Sequence, residues 1–338
     1  MGNNGIHTAE QVITLHGEGK LHSTMLDKMG LSWERFDELY KAVLPLCTTP
    51  PMFGEQLLER LVSKDELHNT GSSGLDALLG GGVGTGQLTE LVGKTSTFKT
   101  QICHQIAVIA ALKQSSVLYL DTNNAFSPRR LADVLFAIEP SLESQRQADE
   151  VPPQLGCLLT NVRMQPVYTA EALLQALRSA QERMRTDVWS STTPMATSEL
   201  PGSLESSDEE SVFWAQLRVV IVDSMASLIL PILGRSATGH ALLMHIVQLL
   251  RELATTHNLA VVTTNFLVQG DQDGPMAVRP ALGATWAYVP SWSVLLSVDE
   301  DSHTGSAPDK GRMLRMNAEL IKSPTQPLHR PVTCMLLG

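Results

Sequence analysis

The 338-residue sequence has no long apolar run, no paired cysteines and no surplus of positive charge. Each absence narrows what the chain can be. Its longest apolar stretches, such as 219–222 and 294–296, are far shorter than the roughly 20 residues needed to span a bilayer, so a soluble chain without a membrane partner is expected. Residues 1–18 are polar and mixed rather than charged then apolar, and no secretory leader is expected. The cysteines Cys47, Cys103, Cys157 and Cys334 never reach a C-x-x-C spacing. That excludes a recognisable zinc or disulfide framework and points to reduced, intracellular thiols. A net charge of -10 excludes a basic coat for nucleic acid, so any DNA contact has to be local.

What is present organises itself around one large core. With 43% hydrophobic residues, a chain of this length can bury one substantial domain and leave a small one beside it. Val12 and Leu15, then Leu31, Phe36, Leu39, Val43 and Leu44, predict a small helical domain over 1–47 with Ser32 as a helix cap. Thr48-Thr49-Pro50-Pro51 breaks that pattern and opens a linker over 48–68. From residue 69 onward, apolar strand patterns at 88–92, 117–120, 219–222, 259–263 and 294–298 alternate with helical ones, of which 241–257 is the clearest. The alternation predicts an α/β fold with a mostly parallel sheet over 69–338. Within it, residues 187–215 carry six acidic residues and no Lys or Arg. Such a segment is expected to be a disordered acidic insertion, an inert loop first and a partner-docking tail second.

Two motifs carry chemistry. The first strand runs into Gly93-Lys94-Thr95-Ser96-Thr97-Phe98-Lys99-Thr100 and then into a helical run, which is the layout of a phosphate-binding P-loop. Successive backbone N–H groups and a helix N-terminus would cradle phosphates, Lys99 would neutralise the outer ones, and the Thr100 hydroxyl would bind Mg2+. The residue before the lysine is Gly in that motif, because the backbone wraps tightly there; here it is Phe98. The second motif is the apolar run Val219-Val220-Ile221-Val222 ending in Asp223-Ser224, where a carboxyl at a strand end can hold the metal-bound water. Asp223 has a plainer alternative as a helix cap after a buried strand. The glycines at 80–86 precede the strand and do not fit G-x-G-x-x-G, which removes a dinucleotide site.

Together with Leu75-Asp76, Leu78-Leu79-Gly80-Gly81-Gly82, Tyr119-Leu120-Asp121, Val261-Val262-Thr263-Thr264-Asn265 and Pro280-Ala281-Leu282-Gly283, these motifs resemble the RecA family. Within it they resemble the eukaryotic recombinase paralogues, most closely the D-type. The resemblance covers most of 69–298 and extends weakly to the helical N-terminal domain. It implies a RecA-like P-loop core that binds ATP and Mg2+ through Gly93 to Thr100 and Asp223, with Arg130 near the adenine ring. It implies a nuclear subunit of homologous-recombination repair of double-strand breaks, acting with other recombinase paralogues in a hetero-oligomer that assists the strand-exchange filament on single-stranded DNA.

The departures from the family pattern are as informative. Active members place a water-activating glutamate where this chain has Asn123, and a polar γ-phosphate sensor where it has Phe266. The linker offers Phe53-Gly54-Glu55-Gln56 in place of the family's Phe-x-x-Ala anchor for self-polymerisation. The two DNA loops map to 231–239 and 268–279, where Arg235 and Arg279 are the only basic residues, so DNA binding by this chain is expected to be weak. No catalytic residue is assigned, and at most weak DNA-dependent hydrolysis is expected. Two rival readings stand beside this one: an autonomous DNA-dependent ATPase that borrows a glutamate from a neighbouring subunit, and a nucleotide-free scaffold whose site Phe98 blocks.

Overall fold

The computed structural model describes residues 32–47, 53–55, 66–145, 153–190, 205–234, 237–269, 278–298 and 314–337. The chain divides into two units, 1–63 and 64–338. In the first, helix α1 (Trp33–Cys47) begins where Ser32 Oγ accepts the Arg35 N–H at 3.3 Å, satisfying one of the donors that a helix start leaves open. Phe36 is buried on it. Val12, Leu15 and Leu31 lie outside the described residues.

The second unit opens with β1 (Leu67–His68), α2 (Ser73–Leu78) and β2 (Val83–Gly84), in which β1 and β2 pair antiparallel. Residues 67 and 68, placed in the linker by the sequence reading, therefore belong to the core. The main elements follow: β3 (Leu88–Gly93), α3 (Lys99–Leu112), β4 (Ser116–Asp121), α4 (Pro128–Ile138), α5 (Pro153–Asn161), β5 (Val162–Pro166), α6 (Ala170–Ser190) and α7 (Glu205–Ala215). Then come β6 (Leu217–Asp223), α8 (Met225–Ile229), α9 (Ala237–His257), β7 (Ala260–Gln269), β8 (Val278–Pro280), α10 (Gly283–Ala287), β9 (Trp292–Ser297), β10 (Leu314–Lys322) and β11 (Val332–Leu336). The main sheet has the order β11-β10-β9-β3-β7-β6-β4-β5, with β8 hung on β7. From β9 to β5 every neighbouring pair is parallel, while β10, β11 and β8 join antiparallel.

The strand patterns explain why the sheet is covered on both faces. All six residues of β3 and of β4 are buried, as a parallel strand between two helical layers requires. Side chains then alternate between two cores. Val117, Tyr119, Val219 and Ile221 join the cluster under α3 and α4, whereas Leu118, Leu120, Val220 and Val222 join the one under α6 and α9. One buried polar group sits inside this packing. Glu90 on β3 accepts from Asn265 Nδ2 on β7 (2.7 Å), Trp286 Nε1 on α10 (2.6 Å) and Ser293 Oγ on β9 (2.7 Å). Its two oxygens are thus satisfied by three separate elements, which is the condition for a buried carboxyl to be tolerated.

The acidic segment is corrected at both ends. Residues 187–190 complete α6 and residues 205–215 form α7, while 191–204 lie outside the described residues. The reason is two aromatic residues at the end of the acidic run. Phe213 and Trp214 are buried among the side chains of α6 and β6. The Arg163 guanidinium lies 4.3 Å from the Phe213 ring centroid, and Glu210 pairs with Arg163 and Arg183. The charge of Glu210 is therefore met by cations outside the segment. Removing a buried Phe side chain costs about 3–5 kcal/mol, so Phe213→Ala is expected to lower the urea midpoint of unfolding at unchanged slope. An unchanged midpoint would show that α7 is not held on the core.

Candidate nucleotide site

Parallel packing brings the C-terminal ends of β3, β7, β6 and β4 to one edge of the sheet, where open α/β sheets bind ligands. A cleft of about 690 Å³ opens there, lined by residues 95–101, His104, Asn123, Ala125, Arg130, Asp223, Ser224, Thr264 and Phe266. Residues 95–100 of the proposed P-loop line it, and Gly93 and Lys94 lead into them. Gly93 ends β3, and a Cβ there would meet Thr97 Oγ1 and the Leu296 carbonyl, at 2.8 Å from the latter, so only glycine fits. Lys94 is exposed beside it and Thr97 is buried, its hydroxyl donating to the Lys94 carbonyl at 2.8 Å.

Lys99 opens α3 with its ammonium turned back onto the loop. Its Nζ donates to the Gly93 carbonyl (2.9 Å), the Lys94 carbonyl (2.6 Å) and Thr97 Oγ1 (3.3 Å). Burial pulls its pKa below the usual lysine range, with Asp223 opposing that shift. An anion in the cleft would compensate the same desolvation and draw the ammonium outward. Phe98 caps α3 at φ 60 and ψ 18, in the left-handed region that the glycine of the motif would occupy freely. Its ring packs partly against the core and partly lines the cleft. The cost of the left-handed β-carbon is borne by the folded loop itself, so it falls on stability; only the ring bears on a ligand.

Asp223 is where the site closes. Its Oδ2 accepts from Thr100 Oγ1 (2.7 Å) and Tyr119 OH (2.9 Å), and its Oδ1 from Thr264 Oγ1 (2.5 Å). The helix-cap alternative for Asp223 does not hold: Ser224 caps α8, its side chain accepting the Ser227 N–H at 3.3 Å. Thr100 and Asp223, one turn of helix and one strand end, thus meet in the arrangement that a Mg2+ ion and its water would need. Among the described residues there is no group of three or more His, Cys, Asp or Glu that could hold a metal ion.

Asn123 stands on the cleft wall. Asp121 builds the turn that carries it, accepting backbone N–H groups from Asn123 (3.1 Å), Ala125 (3.2 Å) and Phe126 (2.9 Å). The Asn123 amide donates to Ser224 Oγ at 3.3 Å. A carboxamide so placed can donate a hydrogen bond and cannot take a proton from water. Phe266 also lines the cleft, beside Gly93 in the β3 to β7 register. Arg130 lines the cleft from α4, a helix started by Ser127 and Pro128. Arg279, the described one of the two DNA-loop arginines, does not line the cleft. Arg279 is exposed on β8, and Arg235 lies outside the described residues.

The sequence reading gives no role to Tyr119, Thr264 or His104. Their signal was a polar atom inside a buried strand or helix, which must find a partner. His104 is the instructive case. Its Nε2 accepts the Ser127 N–H at 3.4 Å, which leaves the ring proton on Nδ1, a buried atom without a partner. Gln101, a residue of the cleft lining, has its Oε1 buried without a partner as well. Two orphaned buried polar atoms beside a phosphate-shaped loop fit a polar ligand such as a nucleotide.

Burial lowers the His104 pKa from 6.5 to about 4, Asp223 opposing and Arg130 reinforcing the shift. The unfolded chain therefore binds more protons than the native one between those values. Stability contributed by neutral His104 is complete above pH 6.5 and falls as the pH drops towards 4. His104→Gln is expected to remove about one proton from the uptake coupled to unfolding in that window. Identical pH profiles of stability for parent and variant would contradict the buried, neutral ring.

Comparison with known proteins points to one group. Residues 66–190 match the family model described as Rad51. The chain is 32% identical over 303 residues to DNA repair protein RAD51 homolog 4 of Mus musculus, an alignment covering 89% of this chain and 80% of that protein. It is 31% identical over 277 residues to the Bos taurus protein of the same name, covering 81% and 74%. With DNA repair protein RAD51 of Saccharomyces cerevisiae the identity is 29% over 289 residues, covering 82% of this chain and 59% of the yeast protein. The matched family segment contains the P-loop and the turn of Asn123, the similarity to the mouse protein extends over most of the chain, and the sheet is of the RecA-like kind; the chain belongs to the Rad51 family.

Proposed function

We propose that this chain is a nucleotide-binding subunit of recombinational DNA repair that holds ATP and Mg2+ as a ligand of its fold and interfaces and hydrolyses it weakly. The observation that carries the reading is the hydrogen bond from Thr100 to Asp223, which joins the first turn of α3 to the end of β6 across 123 residues of sequence. Family membership supports the ATP ligand, since the Rad51 and RecA group is ATP-binding, and the names of the relatives support DNA repair as the setting. The nucleus, a hetero-oligomer of recombinase paralogues, and weak contact with single-stranded DNA complete the proposal. Exposed Arg279 on β8 is the described cation of the DNA-facing loops.

The residues divide the work. The loop N–H groups and Lys99 would bind the phosphates, and Arg130 would lie by the base. Thr100 and Asp223 would orient the cation, which supplies electrostatic stabilisation of the phosphate oxygens when bound. Asn123 puts an amide, which cannot take the proton of an attacking water, where the family resemblance places a glutamate. Binding and turnover therefore come apart. A second reading, a scaffold without nucleotide, is favoured by one observation alone, the Phe98 ring lining the cleft.

Lys99→Ala is expected to weaken binding of ATP by at least about tenfold, the equivalent of charge-assisted hydrogen bonds of about 1.5–3 kcal/mol, as titration calorimetry would read it. Equal affinity in parent and variant would refute the use of the loop, and binding that emerges only in Phe98→Gly would favour the scaffold. Asn123→Glu is expected to raise single-turnover hydrolysis at saturating ATP and Mg2+ by up to about 10²–10⁴-fold, the usual worth of a positioned general base. Brisk turnover by the unmodified chain, without partners, would favour the autonomous ATPase.

A further inference from the structure

The Asp223 carboxyl is fixed more firmly than a pairing with Thr100 requires. Thr100, on α3, faces the cleft, but the other two hydroxyls on Asp223 come from strands on either side of β6. Tyr119 reaches it from β4 and Thr264 from β7. Asp223 is itself buried on all but a small fraction of its surface. Each oxygen carries at least one of these bonds, so turning the carboxyl about its last torsion breaks the set together. Tyr119 has little freedom to follow such a turn. Its ring is fully buried, stacks on His104 at 5.7 Å with 16° between planes, and meets Phe126 edge-on at 4.9 Å. Burial pushes its phenol well above the ordinary tyrosine range, chiefly by desolvation, so the oxygen keeps its proton and serves as a donor.

We propose that Tyr119 and Thr264 are positioning residues that aim Asp223 at the Thr100 hydroxyl and so set how strongly a divalent cation and a nucleotide reinforce each other's binding. The inference rests on the reading of the cleft as a nucleotide site. Its physical basis is that groups behind a cation's ligands fix their direction, and losing one commonly weakens metal affinity by about 10–100-fold. Without the Tyr119 donor, Oδ2 keeps only Thr100, and the carboxyl can rotate towards Thr264. Thr100 then no longer has a fixed acceptor for its proton while its oxygen faces a cation. The substitution thus acts on the cation and, through it, on the nucleotide.

The test compares affinity for a non-hydrolysable ATP analogue in excess Mg2+ with affinity in EDTA, on the full chain, by titration calorimetry. In Tyr119→Phe, which keeps the ring and removes only the hydroxyl, the ratio of the two affinities is expected to fall by about tenfold. Thr264→Val, an isostere without the hydroxyl, should lower the same ratio, and Thr264→Ser should restore it. The Thr264 pair keeps the inference open to refutation if Tyr119→Phe does not fold. A structural role alone would shift both affinities by one factor and leave the ratio at its parent value; that result overturns the inference and leaves the nucleotide reading standing. A parent chain that binds no nucleotide in either condition overturns both.

Discussion

The cluster of hydroxyls on Asp223 is the constraint on which the functional edge of this molecule depends. Helix α3 and strands β4 and β7 each send one hydroxyl to it, and β6 supplies the carboxyl. In water these bonds would be worth little, because each group could pair with solvent. In the buried interior an unmade one costs the desolvation of its group, about 1–3 kcal/mol. The four elements are therefore held in one mutual arrangement by the penalty for leaving it. That arrangement is also the one that brings the P-loop, the Asn123 turn and Phe266 around a single cleft.

A second polar node does the same on β3. Glu90 draws donors from β7, β9 and α10 into the apolar packing. Buried networks of this kind specify one arrangement only when every member is satisfied, and both carboxyl groups here meet that condition. Glu90 ties β3 to its neighbour β7, and Asp223 ties β6 to its neighbours β4 and β7. The loop that follows β3 is less settled by comparison. It holds two residues other than glycine at positive φ, Ser96 at 64° and Phe98 at 60°. The stable nodes on either side allow the fold to carry that strain.

In the proposed function, a family core keeps a nucleotide site while its turnover chemistry is weakened. Lys99, Thr100 and Asp223 act through position and charge, and the fold places all three. Water activation needs one specific proton acceptor, and Asn123 occupies the cleft wall with an amide pinned to Ser224. On the proposed reading, a single change of side-chain chemistry separates holding a nucleotide from consuming it, because the backbone that presents residue 123 is built by Asp121 and is indifferent to what residue 123 carries.

Local pattern was sufficient for much of this. The buried strands β3, β4, β6 and β7 read as short apolar runs, and the P-loop and Asp223 stood out because their chemistry depends on residues adjacent in sequence. The weak cases were β5 and the antiparallel pair β10 and β11, whose half-exposed residues give no clean run. Acidic composition misled over 205–215, because the aromatic anchors Phe213 and Trp214 outweigh the surrounding charge only once Arg163 and Arg183 are beside them. What the sequence determined by itself was thus the α/β alternation and the position of the candidate phosphate loop between β3 and α3. Tertiary structure alone decided that Ser224 and not Asp223 caps α8, that Tyr119 and Thr264 converge on Asp223, and that Glu90 finds partners as far as 203 residues away. Such bonds leave no local trace, since their energy comes from burying both partners together, and which partners meet is settled by strand order.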